Sequence, residues 1–320
     1  MTVKPLMSTI NPFIPEHTMN NVHLDPTKRH DFVFLFDVQD GNPNGDPDAG
    51  NLPRVDPETM QGLVTDVAVK RKIRNYVTAA KPEDERNQIY IEYRGILNNQ
   101  HQRAYDAEGL ESKGSKQDRE TIDTARAWMC DHFYDVRTFG AVMTTGVNAG
   151  QVRGPMQLTF ARSIDPIIPM DVSITRVAVT RPEDAVKFVE GEEEGKGKET
   201  EMGRKALVPY GLYKGFGFYN PMLAEDTGFN EDDLALFWQA LMMCWDIDRS
   251  ASRGLMALRG LYVFSHDHAL GNAPAHALLD RITFSEKNGE VPRSFDHYKS
   301  RLQVQEDDLP DGVTLTRLVG

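Results

Sequence analysis

Two polar segments in the first quarter of the chain hold residue types from which a site can be built. Residues 40–47 read Asp-Gly-Asn-Pro-Asn-Gly-Asp-Pro, and residues 69–74 read Val-Lys-Arg-Lys-Ile-Arg. In the first, Asp40-x-Asn42-x-Asn44-Gly45 fits the opening half of an EF-hand calcium loop. The match stops there, because Pro43 intrudes, a strand precedes the loop, and Asn51 stands where a bidentate Glu belongs. Asp37, Asp40 and Asp46 could instead form a carboxylate site for phosphodiester cleavage, but no metal partner or positioned base accompanies them. A third reading is a turn pinned by proline and glycine, whose Asn and Asp side chains bond its own backbone.

The second segment is cationic. Lys70, Arg71 and Arg74 fall at i, i+1 and i+4, the outer two one turn apart. Ionic contacts from such a ridge to phosphate release counterions and need no base identity. A solvated helix face is the competing reading. Arg54 and Arg153 each lie in a Pro- or Gly-flanked loop, where a guanidinium can fork onto phosphate or simply face water. Met202-Gly203-Arg204-Lys205 sets an apolar side chain beside two cations. The methionine suits a wedge between bases and the cations suit a backbone, although an ordinary hairpin end fits equally well. His266-Asp267-His268 has nothing nearby to complete a zinc shell and reads as a surface turn. Gly211-x3-Gly215-x-Gly217 lacks the spacing of a dinucleotide fingerprint, and no Walker loop or nucleophile elbow is present.

These residues need elements to hold them. Residues 31–38, with Phe32, Phe34 and Phe36, read as a buried central strand. The loop from 40 to about 57 carries four prolines and three glycines, too many for a regular element. Residues 63–77 then read as a helix with Val69, Ile73 and Tyr76 on one side and Lys70, Arg71 and Arg74 on another. A polar insertion covers 81–120, and a helix is expected over 119–133. Strands are expected over 155–163, 172–180 and 207–218, with a low-complexity, mobile stretch over 182–201. Asn230 caps a helix running from Glu231 to about 248, its Trp238 and Trp245 in the core. A short strand follows at 261–264, and the chain after Ser285 is polar and weakly patterned. This order suits an α+β fold with helices on one face of a sheet, an RRM or ferredoxin-like core among the members of that class.

Composition sets the frame. The 320 residues are 40% hydrophobic and 26% charged, an ordinary globular balance sufficient for one elaborated domain or two. A net charge of −12 argues, as an average, against a nucleic-acid partner. The charge is segregated, however. Residues 61–80 hold four cations against Asp66 alone, whereas 182–201 hold eight acids against three lysines. Only Cys130 and Cys244 are present, which excludes a disulfide framework and fits a reducing cytoplasm. No secretory signal pattern and no apolar stretch near the ~20 residues of a membrane span occurs.

Longer runs carry a family resemblance. Residues 31–55, continuing through 62–75, resemble the backbone subunit of the type I-C CRISPR Cascade complex, the Cas-seven family within the RAMP proteins. The likeness recurs at Arg137-Thr-Phe-Gly140, Arg153-Gly-Pro-Met-Gln-Leu158, Met202-Gly-Arg-Lys205 and Val208-Pro-Tyr-Gly-Leu-Tyr213. It returns at Asp248-Arg-Ser-Ala-Ser-Arg-Gly254 and Arg259-Gly-Leu-Tyr-Val-Phe264. The resemblance implies a hand-shaped protein: an RRM-like palm over residues 30–285, a helical finger insertion over about 81–120 and a hairpin thumb over about 171–207. An irregular arm (1–29) and a polar C-terminal segment (286–320) would flank it.

It further implies a protein without catalytic activity or cofactor. Copies stack head-to-tail on a CRISPR guide RNA, which then pairs with target DNA. Lys70, Arg71 and Arg74 match the family's Lys-Arg-x-x-Arg grip on guide phosphates. Arg54 and Arg153 would assist, while Met202, Arg204 and Lys205 belong to the returning arm of the thumb. Implied partners are a Cas-five end subunit, a large Cas-eight-type subunit, small subunits and a recruited helicase–nuclease. The alternative within the superfamily is an RNA-cleaving backbone using Asp37, Asp40 and Asp46.

Overall fold

The computed structural model describes residues 21–181, 187–189, 192–194, 200–286 and 289–320. Most of the expected arm and most of the low-complexity stretch 182–201 lie outside the described residues. Eight strands form the main sheet: β1 (His30–Gly41), β2 (Gln61–Val64), β3 (Met156–Leu158), β4 (Ala161–Pro166), β5 (Met170–Arg176), β6 (Glu201–Tyr219), β7 (Leu255–His266) and β8 (Val313–Val319). Their order is β8-β7-β1-β6-β4-β2, with β3 and β5 also paired to β6. Every one of these pairings is antiparallel. The helices used below are α1 (Asp66–Ala80), α2 (Leu97–Ala107), α3 (Arg119–His132), α4 (Tyr134–Phe139), α5 (Pro221–Thr227) and α6 (Glu231–Ile247).

Residues 32–36 of β1 are continuously apolar because both faces of the sheet are covered there. Phe32, Phe34, Phe36 and Val38 enter one core, and Val33 and Leu35 enter another. The spaced glycines of β6 serve this packing. Register pairs Gly215 with Phe34 and Gly217 with Phe32. An added Cβ would stand 2.2 Å from the first ring and 1.9 Å from the second.

The first core is roofed by α1 and α6. Thr65 starts α1 by accepting the Ala68 amide at 3.3 Å. The helix begins later than residue 63 because Leu63 and Val64 pair with β4. Asn230 and Asp233 close α6 with a reciprocal capping box. Trp245 then stacks on Phe36 at 4.5 Å, and Trp238 meets Phe32 edge-on at 5.0 Å.

The second core is covered from the C-terminal side. Leu278, Ile282, Tyr298 and Val313 pack against Val33, Leu35 and Tyr262, so the weakly patterned stretch after Ser285 has a packing role and supplies edge strand β8. A third cluster joins α2 and α3 through Tyr105, Met129 and Phe133. One expectation is corrected. His266 is no surface residue: β7 runs on to include it, and it lies fully buried with Nε2 3.0 Å from Asp31 Oδ2. Among the described residues no helix is long and apolar enough to cross a membrane.

Candidate nucleic-acid interface

Three segments meet at the start of α1. The 42–54 loop leaves β1, the first turn of α1 follows it in sequence, and residues 248–254 arrive from the end of α6 on the way into β7. Register sets the last beside the first, since Gln39 on β1 pairs with Leu255 on β7. The Asn42 amide donates to the Ser252 carbonyl at 2.8 Å. Two glycines make the crossing possible. A Cβ on Gly41 would lie 1.9 Å from the Arg253 carbonyl oxygen, and one on Gly254, at φ +60°, would lie 2.4 Å from that of Gln39. The loop is tied to the helix as well, with the Thr65 amide donating to Asn44 Oδ1 at 2.9 Å.

An open cleft of about 550 Å³ lies between these walls. Arg54, Arg71, Lys72 and Arg253 line it against the single carboxylate of Asp248. Thr65, Val67 and Ala68 at the start of α1 border it too, and the helix dipole adds to the positive field. Arg71 is exposed and has no ion pair among the described residues. Arg54 Nη1 stands 3.5 Å from Asp46 Oδ2, close enough to attract and too long to bind strongly. Lys72 is different in kind, being buried with Nζ 2.6 Å from Asp248 Oδ2. Asp248 Oδ1 also accepts from Asn75 at 3.1 Å and faces Arg253 Nη1 at 3.2 Å. Burial pushes the Asp248 carboxyl up, but Lys72 and Arg253 outweigh it and hold the group below the usual carboxylate range. Lys72 is therefore a strut that fixes Arg253 to α1.

The expected three-residue ridge is divided. Lys70 bonds Asp66 at 2.9 Å across one helical turn and sits 5.4 Å above the Phe139 ring. Arg74 is 8% exposed, and its Nε donates to Asp135 Oδ2 at 2.7 Å. The same carboxylate accepts the amides of Tyr90 at 2.8 Å and Ile91 at 3.1 Å. A wheel diagram sees only the helix it draws. Here α4 and residues 88–91 cover the second half of α1, taking Arg74 off the solvent face that Arg71 keeps.

Arg153 is exposed and pairs across a two-stranded ribbon with Gly140, the neighbour of Phe139. The cations of this band are Arg253, Arg54 and Arg71 in the cleft, with Lys70 over Phe139 and Arg153 on the ribbon that begins at Gly140. Met202, Arg204 and Lys205 stand apart from this band, on a solvent-exposed ladder formed by β5 and the first part of β6. Met202 is 77% exposed. Arg204 shares its face, 3.4 Å from Asp171, while Lys205 points to the other.

The candidate carboxylates do not converge on a metal-holding group among the described residues. Asp37 is buried, with Arg259 Nε donating at 2.8 Å and the Tyr210 hydroxyl at 3.0 Å. Burial raises its pKa in spite of Arg259. Asp46 accepts the Asp48 amide at 3.2 Å and faces Arg54. Asp40 is exposed at φ +51°. Sequence reasoning missed Asn42, Asp248 and Arg253 as cleft residues. The only signal for the last two was the Asp-Arg-Ser-Ala-Ser-Arg-Gly run, some two hundred residues from the loop it meets.

Comparison with known proteins addresses the chain as a whole. The sequence profile of CRISPR-associated protein Cas7 matches residues 28–303. A CRISPR-associated protein Cas7 of Haloferax volcanii is 26% identical over 298 residues, spanning 83% of this chain and 78% of the relative. A chain from a solved CRISPR RNA-guided surveillance complex, pre-nicking, superposes with a TM-score of 0.48 at 13% identity, over 74% of this chain and 78% of that one. A chain from another CRISPR RNA-guided surveillance complex gives 0.43 at 16% identity, over 83% and 80%. The profile match embraces β1, the cationic helix, the exposed ladder and the 248–254 wall together, and the chain belongs to the family of CRISPR-associated protein Cas7.

Proposed function

We propose that the chain is a guide-RNA-binding backbone subunit of a CRISPR surveillance complex of type I-C, and that it holds RNA by its phosphates without regard to sequence. The observation that carries this reading is the cleft at the start of α1. In a chain of net charge −12, four cations converge there on one carboxylate, and Arg71 has no ion pair among the described residues. Arg54, Arg71 and Arg253 grip the backbone, and Lys70 and Arg153 extend the track. Arg74 acts through Asp135 as an internal support. Met202, with Arg204 and Lys205, meets bases from the exposed ladder. An RRM-like palm is supported by the antiparallel order β7-β1-β6-β4 with α1 and α6 on one face. Both faces of that sheet are covered, so its aromatics are core and RNA is met at its edge.

Copies of the chain line the guide head-to-tail, and target DNA is read by pairing with the guide. A Cas-five end subunit, a Cas-eight-type subunit and small subunits complete the assembly, with cutting left to a recruited helicase–nuclease. Replacing Arg54, Arg71 and Arg253 together by alanine is expected to weaken binding of every RNA sequence and to flatten the salt dependence, as read by fluorescence anisotropy. An unchanged salt slope would remove the cleft from the reading. No bond-breaking step is included, since Asp37 is engaged inside the sheet by Arg259 and Tyr210. Incubating the assembled complex with complementary RNA and magnesium should leave that RNA intact. Periodic fragments would establish a cleaving backbone instead.

A further inference from the structure

Two polar atoms of the cleft residues are left unpaired. Asn42 Oδ1 and Arg54 Nε are both shielded from solvent, and neither has a hydrogen-bond partner among the described residues. Both side chains line the cleft, and Asn42 is only 8% exposed. Chemistry fixes the orientation of the Asn42 amide. Its other end meets the Asn51 carbonyl at 2.7 Å, and a carbonyl only accepts, so that end is Nδ2 and the orphan is an acceptor. Arg54 Nε only donates. The Arg54 backbone is held on both sides, its amide to Asn44 at 3.3 Å and its carbonyl to the Leu63 amide at 2.9 Å. Folded proteins rarely keep such atoms unpaired unless a ligand or an ordered water completes them.

A phosphodiester answers only half of this demand. It carries no proton at neutral pH, so it can accept from Arg54 and can give nothing to Asn42. A ribose 2′-hydroxyl supplies both roles, and it lies next to the phosphate that the arginines attract. We propose that Asn42 and Arg54 read the 2′-hydroxyl of the bound strand, so that the cleft selects ribose over deoxyribose. The O–H donates to Asn42 Oδ1, and the hydroxyl oxygen or the adjoining phosphate oxygen accepts from Arg54 Nε. Both atoms are closed to a water-sized group as the cleft stands, so the hydroxyl reaches them only when Arg54, whose side chain is 32% exposed, swings aside on binding. This inference rests on the reading of the cleft as a backbone site and adds the identity of the sugar.

The test compares a short single-stranded RNA with its 2′-fluoro counterpart on the full chain. Fluorine keeps the A-form sugar pucker and removes the donor. The native chain should bind the 2′-fluoro strand more weakly by roughly two- to tenfold, the worth of one ordinary hydrogen bond. Asn42→Ala also removes the bond to Asn51, so its readout is the ratio: the variant should bind RNA and its 2′-fluoro counterpart equally, whatever its absolute affinity. The ligand comparison on the native chain needs no variant, so misfolding of Asn42→Ala cannot mask the answer. Equal affinity of the native chain for both strands, with Arg71→Ala still weakening each, overturns the 2′-hydroxyl assignment alone and means that water completes the two atoms. Binding indifferent to Arg71→Ala overturns the underlying backbone reading as well.

Discussion

Arg71 and Arg74 are three residues apart on α1 and chemically identical, yet replacing each by alanine is expected to damage different properties. Arg71 lines the cleft with no ion pair among the described residues, so its loss removes one phosphate contact and little folding energy. For a single strand each contact contributes about 0.7 to the slope of log affinity against log salt, or roughly fourfold in affinity near 0.15 M salt. Arg74→Ala instead strands Asp135 inside the protein. Breaking a buried pair costs about 3–5 kcal/mol, and the lower end applies because the Tyr90 and Ile91 amides still bond the carboxylate. With an unfolding entropy of about 2 cal/mol/K per residue, 3 kcal/mol lowers the Tm of this chain by roughly 4–5 °C. Anisotropy titrations across a salt series and thermal unfolding of both variants make the comparison. Arg71→Ala should flatten the slope at native Tm. Arg74→Ala should lower Tm and, well below that temperature, keep the native slope. The reverse pattern, with Arg74→Ala flattening the slope at unchanged Tm, would show that Arg74 reaches phosphate and that the division of the ridge is wrong.

Other perturbations follow from the same geometry. Gly254→Ala puts a methyl group 2.4 Å from the Gln39 carbonyl oxygen at a positive φ. The left-handed backbone alone costs about 1–2 kcal/mol. Arg253 should shift, RNA affinity should fall, and the Asn42 amide, bonded to Ser252, should exchange its proton faster. Native exchange and native affinity together would refute the crossing as a positioning device. Acid should destabilise the fold through His23 and His30, whose pKa values burial lowers to about 4. The unfolded imidazoles protonate near 6.5, so between 6.5 and 4 the unfolded state binds more protons and stability falls as pH drops. The full effect is on the order of 3 kcal/mol per histidine, read as a falling Tm across that window. A Tm that stays level there would mean that both rings accept protons in place.

Much of this fold is local information. The apolar run of β1, the Asn230 cap and the aromatic spacing of α6 are set by neighbours within a few residues. Such elements are legible wherever side-chain period and capping chemistry agree. The lengths of β6 and β7 were underestimated for a related reason. The outer residues 201–206 of β6 are polar or exposed and are kept extended by β5, and residues 255–260 of β7 are kept extended by β1.

The site divides along the same line. Composition and spacing alone located the polar loop, the cationic helix and the exposed methionine, because a local excess of charge is visible without a fold. Which cations remain free was decided by tertiary contacts. Asp135 takes Arg74 and Asp248 takes Lys72, since burying a cation without a carboxylate costs more than pairing it. Arg253 enters the cleft only because β1 and β7 are neighbours in the sheet, a pairing that no short-range pattern records. The orphan acceptor on Asn42 likewise exists only once the loop has closed on Asn51 and turned the amide to face the wall it now forms.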